Sequence, residues 1–446
     1  MRWYITIITI ICLGTSGYAQ KAPTPLSLSQ AIQAGLRNNF QMQVADQDIK
    51  IAQNNNHWGA TSRYPTVDFN LNAPNSYSVQ NQAFSFVTGN FNSFNTGITA
   101  SVDLSWTLFD GYQARINKQR LEELERQSQG AAAIVVENTI RNIILAYYQV
   151  LIDGEQLEVL QEVLDLSRDR VEYQKIRKEY GQGGTFDILQ SQDAYLNDST
   201  NILIQENTYA TSMRNLNLAI GEKDFNKVYD LTDSLEYRSN AYDFNTLQRK
   251  MLSNNKQLQN LQIVRSLSRI ERNFQESLRK PRLSIGSGIS QNFNAINSNA
   301  VNFQDGEEFG WASGNASTAY LNFTATYNLY DAGNRKRNIE SARMEEIVNE
   351  LEIEDLRRNL GTELKNTLEV YNNQRQLLRL TEDLIENARQ NLNIADERFR
   401  AGQINSFDYR TIQLAYINAS QSRLNAIFNL KNTDTELTRL TGGLVR

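Results

Sequence analysis

The sequence predicts a mixed α and membrane-β fold, with four strands per chain that need further copies to close a barrel, and with very long helices continuing from them. Three observations carry this. The chain states one plan twice, each copy holds one alternating β-hairpin, and the stretches around the hairpins are nearly free of proline. Phe186-Asp187, Gln192, Ala194-Tyr195 and Asn197 recur as Phe407-Asp408, Gln413, Ala415-Tyr416 and Asn418. Asp110-Gly111 answers Asp331-Ala332-Gly333, and Leu216 and Gly221 answer Leu437 and Gly442. Upstream, Leu36, Asn38-Asn39 and Pro65 match Leu252, Asn254-Asn255 and Pro281 at a slightly shorter offset, so the length difference falls inside the hairpin. A duplication of this length gives two equivalent units rather than a solenoid.

The N-terminus sets the compartment. Arg2 precedes an apolar run, Ile5 to Leu13, followed by Gly14, Ser16, Gly17 and Ala19. That pattern is a signal peptide over 1–19, cut after Ala19. The run is about half the roughly 20 residues of a transmembrane helix. The expected division is then a first repeat over 20–221, a connecting segment over 222–245, a second repeat over 246–442 and a tail over 443–446.

The only cysteine, Cys12, lies in the leader, which excludes disulfides and thiol chemistry from the rest. The single histidine, His57, forms no metal cluster alone, and a helix-surface or packing role suits it. The chain has 45 Lys+Arg against 50 Asp+Glu and loses one more positive charge with Arg2. This acidic balance argues against nucleic acid as a partner.

Proline occurs only at positions 23, 25, 65, 74 and 281, which permits very long helices. From about 111 to 180, apolar residues recur at helical spacing: Ile140, Ile143, Ile144, Tyr147 and Leu151, then Leu157, Leu160 and Leu164. The second copy repeats this over about 334–400 with Leu356, Leu360, Leu364 and Leu368. Each stretch of about 70 residues reaches on the order of 100 Å. Shorter helical pieces are expected near 27–62, 185–220, 246–279 and 406–441. Two of them match one long helix in length.

The hairpins, expected over about 66–109 and 282–330, carry the membrane signal. Ile98, Ala100, Val102, Leu104, Trp106 and Leu108 alternate with Thr99, Ser101, Asp103, Ser105 and Thr107. Val67, Phe69 and Leu71 alternate with Asp68 and Asn70 in the partner strand. In the second copy Leu321, Phe323, Ala325, Tyr327 and Leu329 alternate with polar residues, while Gly286 and Gly288 weaken the strand after Pro281. Period-two strands of about ten residues suit a barrel that is apolar to lipid and polar to the lumen. A half-buried sheet in a soluble domain shows the same alternation; the leader and the lack of further strands to cover these faces favour the membrane. Trp106, Phe109, Tyr327 and Tyr330 suit an aromatic girdle. Residues 75–96 and 290–318, rich in Asn, Ser, Gly and Phe, are expected as long outer loops. A charge at Val102 or Leu104 is expected to impair insertion, and one at Ser101 or Thr107 to be tolerated.

Open edges are not tolerated in lipid, so four strands require oligomerisation. Two copies give eight strands with a filled interior; three give twelve with room for a passage.

At this point the chain resembles the TolC-like outer-membrane efflux proteins over nearly its whole mature length. The most specific local match is a turn with Gly, Ser/Thr four residues on and Asp six residues on. Here it is Gly181, Thr185 and Asp187, and again Gly402, Ser406 and Asp408. The resemblance implies a homotrimer with a twelve-stranded β-barrel, continuous with a long periplasmic α-helical tunnel of coiled helices. It implies a passive exit duct in the cell outer membrane, serving a tripartite efflux or type I secretion system. An inner-membrane pump and a periplasmic adaptor (membrane fusion protein) are its implied partners, beside outer-membrane lipid. By the same resemblance, Gly181, Thr185, Gly402 and Ser406 contact the adaptor, and Asp187 and Asp408 sit at the tunnel mouth.

Locally the same six residues read as helix punctuation. The glycines end helices in the left-handed conformation, Thr185 and Ser406 cap the next helices, and the aspartates fall in their first turns. The run Gly181 to Gly184 lacks the Gly-Lys-Ser/Thr of a phosphate loop. Departures from the family also show. Thr411 stands where some relatives have a second acid, and Phe399 and Ile404 replace a tyrosine and an arginine that hold some mouths closed. Apolar closure or a more open mouth follows.

No catalytic constellation, cofactor motif or metal-ligand cluster is present, so the chain is not expected to be an enzyme. A stand-alone outer-membrane diffusion pore and a structural periplasmic coiled-coil protein are the alternatives.

Overall fold

The computed structural model describes residues 24–84, 87–235, 240–301 and 308–444. The leader expected over 1–19 and the last two residues of the tail lie outside them. In chain order the elements are β1 (Thr24–Leu26), α1 (Leu28–Asn38), α2 (Phe40–Asn55), a 3-10 turn (Trp58–Thr61), β2 (Thr66–Asn72), β3 (Asn75–Phe84) and β4 (Val87–Phe109). There follow α3 (Gln113–Glu179), α4 (Thr185–Ile220), β5 (Tyr229–Leu231), α5 (Phe244–Asn254) and α6 (Lys256–Ser277). The chain continues with β6 (Arg282–Val301), β7 (Glu308–Thr326), α7 (Asn334–Arg400) and α8 (Ser406–Leu440). These divide into two compact units. One takes the described residues of Met1–Asn39, Thr139–Asn240 and Val370–Thr435; the other takes those of Phe40–Asn138, Ala241–Glu369 and Glu436–Arg446.

The second unit holds an antiparallel sheet in the order β2-β4-β6-β7, with β3 also paired to β4. β2 and β3 are one line interrupted at Ala73-Pro74, where proline removes a ladder donor; the Gly97 N–H still donates to the Pro74 carbonyl at 3.1 Å. The sheet is therefore four strands wide, with β2/β3 and β7 at its edges.

The strands are longer than the alternation suggested. Residues 75–84, 87–96 and most of 290–318, expected within loops, are strand: Asn75 pairs with Thr96 and onward to Phe84 with Val87, and Arg282–Ser298 pairs with Gly310–Thr326. Asn- and Ser-rich composition misled the loop expectation, because ladder hydrogen bonds to neighbouring strands hold a polar stretch in the sheet whatever its alternation. At the other end β7 stops at Thr326, so Tyr327 and Leu329 lie past it although the alternation ran on.

Register sets the faces. Phe69, Val102, Ile289 and Ala319 lie side by side, as do Trp106, Ile285 and Phe323, on the apolar face. Phe69, Val102, Ile289 and Phe323 are all exposed. On the other face Asp68, Asp103, Gly288 and Tyr320 form one row. A second aromatic row, Tyr77, Phe94 and Trp311, crosses the sheet with Asn297. Phe94 meets Trp311 edge-on at 6.2 Å. Phe94 and Trp106 are separated by about 40 Å along the strand, or about 30 Å after barrel tilt, which is the hydrocarbon thickness.

The first unit contains a small sheet that the sequence did not announce. β1 pairs parallel with β5, inside the segment expected only as a connector over 222–245. The Tyr147 hydroxyl lies 2.8 Å from the Leu26 carbonyl and 2.7 Å from the Asp233 carboxylate, fixing this sheet to α3. Ala31, Ile143, Tyr147, Val150, Met213, Leu216 and Ile220 pack beneath it.

The repeat has local physical reasons. The short helices expected over 27–62 and 246–279 each break at an asparagine. Asn39 Nδ2 donates to the Ala219 carbonyl at 3.0 Å, and its counterpart Asn255 donates to the Leu440 carbonyl at 3.1 Å. Beside them Gly221 and Gly442, both with φ near +70°, come so close to Asn38 and Asn254 that a Cβ would strike backbone atoms. Each copied Asn-Asn and Gly is thus one joint between helices.

Candidate functional site: the paired helix turns

The two turns that the sequence singled out lie in one unit and are built alike. After α3, the Gly181 N–H bonds to the Lys178 carbonyl (2.9 Å) and the Gln182 N–H to that of Arg177 (2.8 Å). After α7, Gly402 bonds to Phe399 (3.0 Å) and Gln403 to Arg398 (2.8 Å). This is the glycine-terminated ending that satisfies the last carbonyls of a helix. Gly181 and Gly402 have φ of +73° and +70°, and open space surrounds both.

The caps differ from expectation. Thr185 and Ser406 are the first helical residues, not caps. Gly184 holds the cap position of α4, and the Asp187 carboxylate reaches back to its N–H at 3.1 Å. In α8 the cap is Asn405, whose Oδ1 accepts from the N–H groups of Phe407 (2.9 Å) and Asp408 (2.8 Å). Asn405 in turn donates to the Asp408 carboxylate at 2.9 Å. Both aspartates are therefore first-turn carboxylates, where the helix dipole favours them. Asp408 is exposed and Asp187 half-buried.

Gly181, Thr185 and Gly402 are exposed, beside the exposed rings of Phe186 and Phe407. Ser406 is a correction: its side chain is buried, 3.5 Å from the Ser191 hydroxyl, and it joins the two turns instead of facing outward. Phe399 is also internal, stacked on Tyr409 at 4.9 Å and tilted against Tyr173. The Tyr173 hydroxyl donates to the Arg400 carbonyl at 2.9 Å, tying α3 to the end of α7.

Behind the turns sits a polar cluster that sequence reasoning missed. Arg410 grips the buried Asp198 with two bonds of 2.7 Å, and the Ser167 hydroxyl adds a third at 2.5 Å. Arg170, almost fully buried, lies over the Tyr409 ring. Burial, and then repulsion from Arg410, pulls its guanidinium down to about 10. Burial pushes the Tyr409 phenol up. A signal for this cluster existed in the repeat itself. Asp198 faces Ala419 in the other copy, and Arg410 faces Leu189. The cluster stands where the copies diverge.

The girdle residues also have places. The Trp106 indole N–H donates to the Arg63 carbonyl at 3.1 Å. Phe109, the last residue of β4, meets Tyr112 edge-on at 5.4 Å. Tyr327 and Tyr330 are exposed just past β7.

No described helix is long and apolar enough to cross a membrane. Among the described residues no cluster of His, Cys, Asp or Glu could hold a metal ion.

Solved structures share the fold. The CmeC outer membrane channel of Campylobacter jejuni superposes with a TM-score of 0.70 at 14% identity, over 93% of this chain and 85% of that one. VceC of Vibrio cholerae gives 0.68 at 13% identity, over 93% and 96%. The open MtrE outer membrane channel of Neisseria gonorrhoeae gives 0.67 at 13%, over 94% and 89%. No curated protein matches the chain by sequence. The model of the outer membrane efflux protein family matches twice, over residues 31–222 and 247–443, and the chain belongs to that family of outer-membrane transport ducts.

Proposed function

We propose that three copies of this chain close one twelve-stranded barrel and serve as the passive exit duct of a tripartite efflux or type I secretion assembly. One observation carries this reading. The sheet is four strands wide, its apolar face is exposed, and its edge strands β2/β3 and β7 run antiparallel to their inner neighbours. Edges of this kind are stable in lipid only when paired to another copy. Twelve strands leave a passage, whereas eight are filled by side chains.

The paired turns are the docking end. Gly181, Thr185 and Gly402, with Phe186 and Phe407 beside them, meet a periplasmic adaptor that hands over substrate from an inner-membrane pump. Asp187 and Asp408 lie near the passage. The proposed chain plan keeps a leader over 1–19, repeats over 20–221 and 246–442, and a connector between them.

Single cysteines at positions 183 and 404 test the docking end, since Cys12 is the only native cysteine. A side chain at 183 would make only ordinary contacts with Arg177 and Lys178. Crosslinking to the cognate adaptor from both positions supports the reading. Crosslinks only from the far ends of the hairpins, such as 92 and 313, contradict it.

A further inference from the structure

At the ends of the strands nearest the helices, the apolar face gives way to a rim of unusual composition. Residues 58–65, 109–115, 278–282 and 327–337 carry eight Arg or Lys and two Asp, in a chain whose net charge is −5. Both aspartates are engaged locally. Asp110 accepts from the Ala114 N–H at 2.7 Å. Asp331 accepts from the Gly333 and Arg335 N–H groups at 3.0 and 2.9 Å and pairs with the Arg335 side chain at 3.2 Å. The rim is therefore locally positive in an acidic chain.

The segments are brought together within one unit. Phe109 pairs with Leu283, and Arg282 with Thr326. The Trp106 indole reaches the Arg63 carbonyl. Two of the cations lie on aromatic faces: Arg63 over Trp58 at 4.4 Å and Lys280 over Tyr112 at 4.2 Å. A cation on a ring is held in place while its N–H edge keeps the ability to donate to an oxygen anion. Beside them, Leu329 and Tyr330 are 89% and 85% exposed. Such exposure is unfavourable in water and favourable at the headgroup level of a bilayer, where Tyr, Trp, Lys and Arg concentrate.

We propose that this rim binds anionic phospholipid headgroups, with Arg63, Lys280 and Lys336 contacting the phosphates and Tyr112 and Tyr330 lying against the first carbons of the acyl chains. The inference rests on the membrane reading of the sheet and adds a lipid class to it. A free phosphate would use the cations but not the exposed apolar residues beside them. A phospholipid uses both, because its anionic head and apolar tail meet at one level, as the cations and the apolar face do here.

The test uses the full chain purified in mild detergent. Phosphatidylglycerol and phosphatidylcholine of identical acyl chains are offered, and bound lipid is counted by native mass spectrometry. Each basic side chain near an anionic headgroup is worth about fivefold in partitioning. The wild-type protein is expected to retain phosphatidylglycerol preferentially. The combined Arg63→Gln, Lys280→Gln and Lys336→Gln variant is expected to lose most of that preference. A control with Arg168→Gln, Lys175→Gln and Lys178→Gln, on α3 near the turns, is expected to keep it, and inorganic phosphate is expected not to displace the lipid. Heat-resistant migration on gels reports the intact barrel in each case. If the triple variant fails that check, the single Arg63→Gln and Lys280→Gln variants replace it, each with a smaller loss expected. Equal retention of the two lipids by an intact wild-type barrel overturns the inference and leaves the duct reading standing. So does a preference unchanged in the rim variants, or displacement by phosphate. Absence of any heat-resistant barrel in the wild type counts instead against the duct reading.

Discussion

The Tyr320 hydroxyl donates to the Asp103 carboxylate at 2.8 Å, across the bare backbone of Gly288 on the strand between them. Ser101 and Asn70 donate to the other carboxylate oxygen at 2.7 and 3.0 Å, so one aspartate links β2, β4 and β7. A Cβ at Gly288 would lie 2.6 Å from the Asp103 carboxylate and 2.8 Å from the Tyr320 ring. The glycine that weakened the alternation of β6 is the gap through which the tyrosine reaches. Gly288→Val is expected to lower the heat resistance of the barrel more than Tyr320→Phe. The latter loses one hydrogen bond to a charged oxygen and keeps the ring. Gel migration after stepped heating measures both.

The two faces of β4 should respond differently to charge. Val102→Arg places a cation among Phe69 and Ile289 on the exposed apolar face and is expected to cost about 2–4 kcal/mol of insertion. Thr99→Arg, on the polar face, is expected to insert normally. Ser101 and Thr107 are poorer controls than the sequence suggested, because Ser101 holds Asp103 and Thr107 accepts from Arg282 at 3.1 Å. Equal losses for Val102→Arg and Thr99→Arg in a folding assay with lipid vesicles contradict the face assignment.

At the turns, Gly181→Ala and Gly402→Ala meet no neighbour but retain a left-handed backbone, a strain of about 1–2 kcal/mol each. Trimer yield should be nearly unchanged while export falls, most strongly in the double variant. Loss of the trimer itself would show that the glycines serve folding rather than docking.

Asp198 is the buried carboxylate that serves the half-buried Arg410 and the buried Arg170. Asp198→Asn leaves Arg410 and Arg170 without it and is expected to destabilise the helices by about 3–5 kcal/mol. Combining it with Arg410→Met should restore part of that loss. Circular dichroism on heating gives the comparison.

Glu137 on α3 predicts a pH dependence. Burial raises its carboxyl to about 7 against the opposing pull of Lys256 and Arg439, and Arg439 is itself shared with Glu436 and Glu363. A raised carboxylate favours the protonated folded state. Its cost is absent below about pH 4 and grows as pH rises toward 7. Glu137→Gln should therefore raise the melting temperature at pH 8, by an effect on the order of 1–3 kcal/mol, and leave it unchanged at pH 4. The opposite pH trend would mean that Arg439 and Lys256 dominate.

The long helices, the repeat and the paired turns were legible because each is a local pattern. Helical periodicity without proline gave α3 and α7 nearly to the residue, and Gly181 and Gly402 marked their ends. What escaped notice depends on distant partners. The β1–β5 pair is only three residues on each side, too short for a period. The upper halves of the hairpins are strand because they pair with one another, and the aromatic row of Tyr77, Phe94 and Trp311 was hidden with them. The cap positions slipped by one because Asn405 and Gly184 compete with Ser406 and Thr185 for the same role. The Asp198–Arg410 pair joins positions more than two hundred residues apart, and only divergence between the copies hinted at it.

The most direct test of the account is the mass of the folded particle. Protein extracted from outer membranes in mild detergent, and migrating as a heat-resistant species, should contain three chains, because three four-stranded sheets leave no open edge. A heat-resistant particle of one or two chains would contradict it.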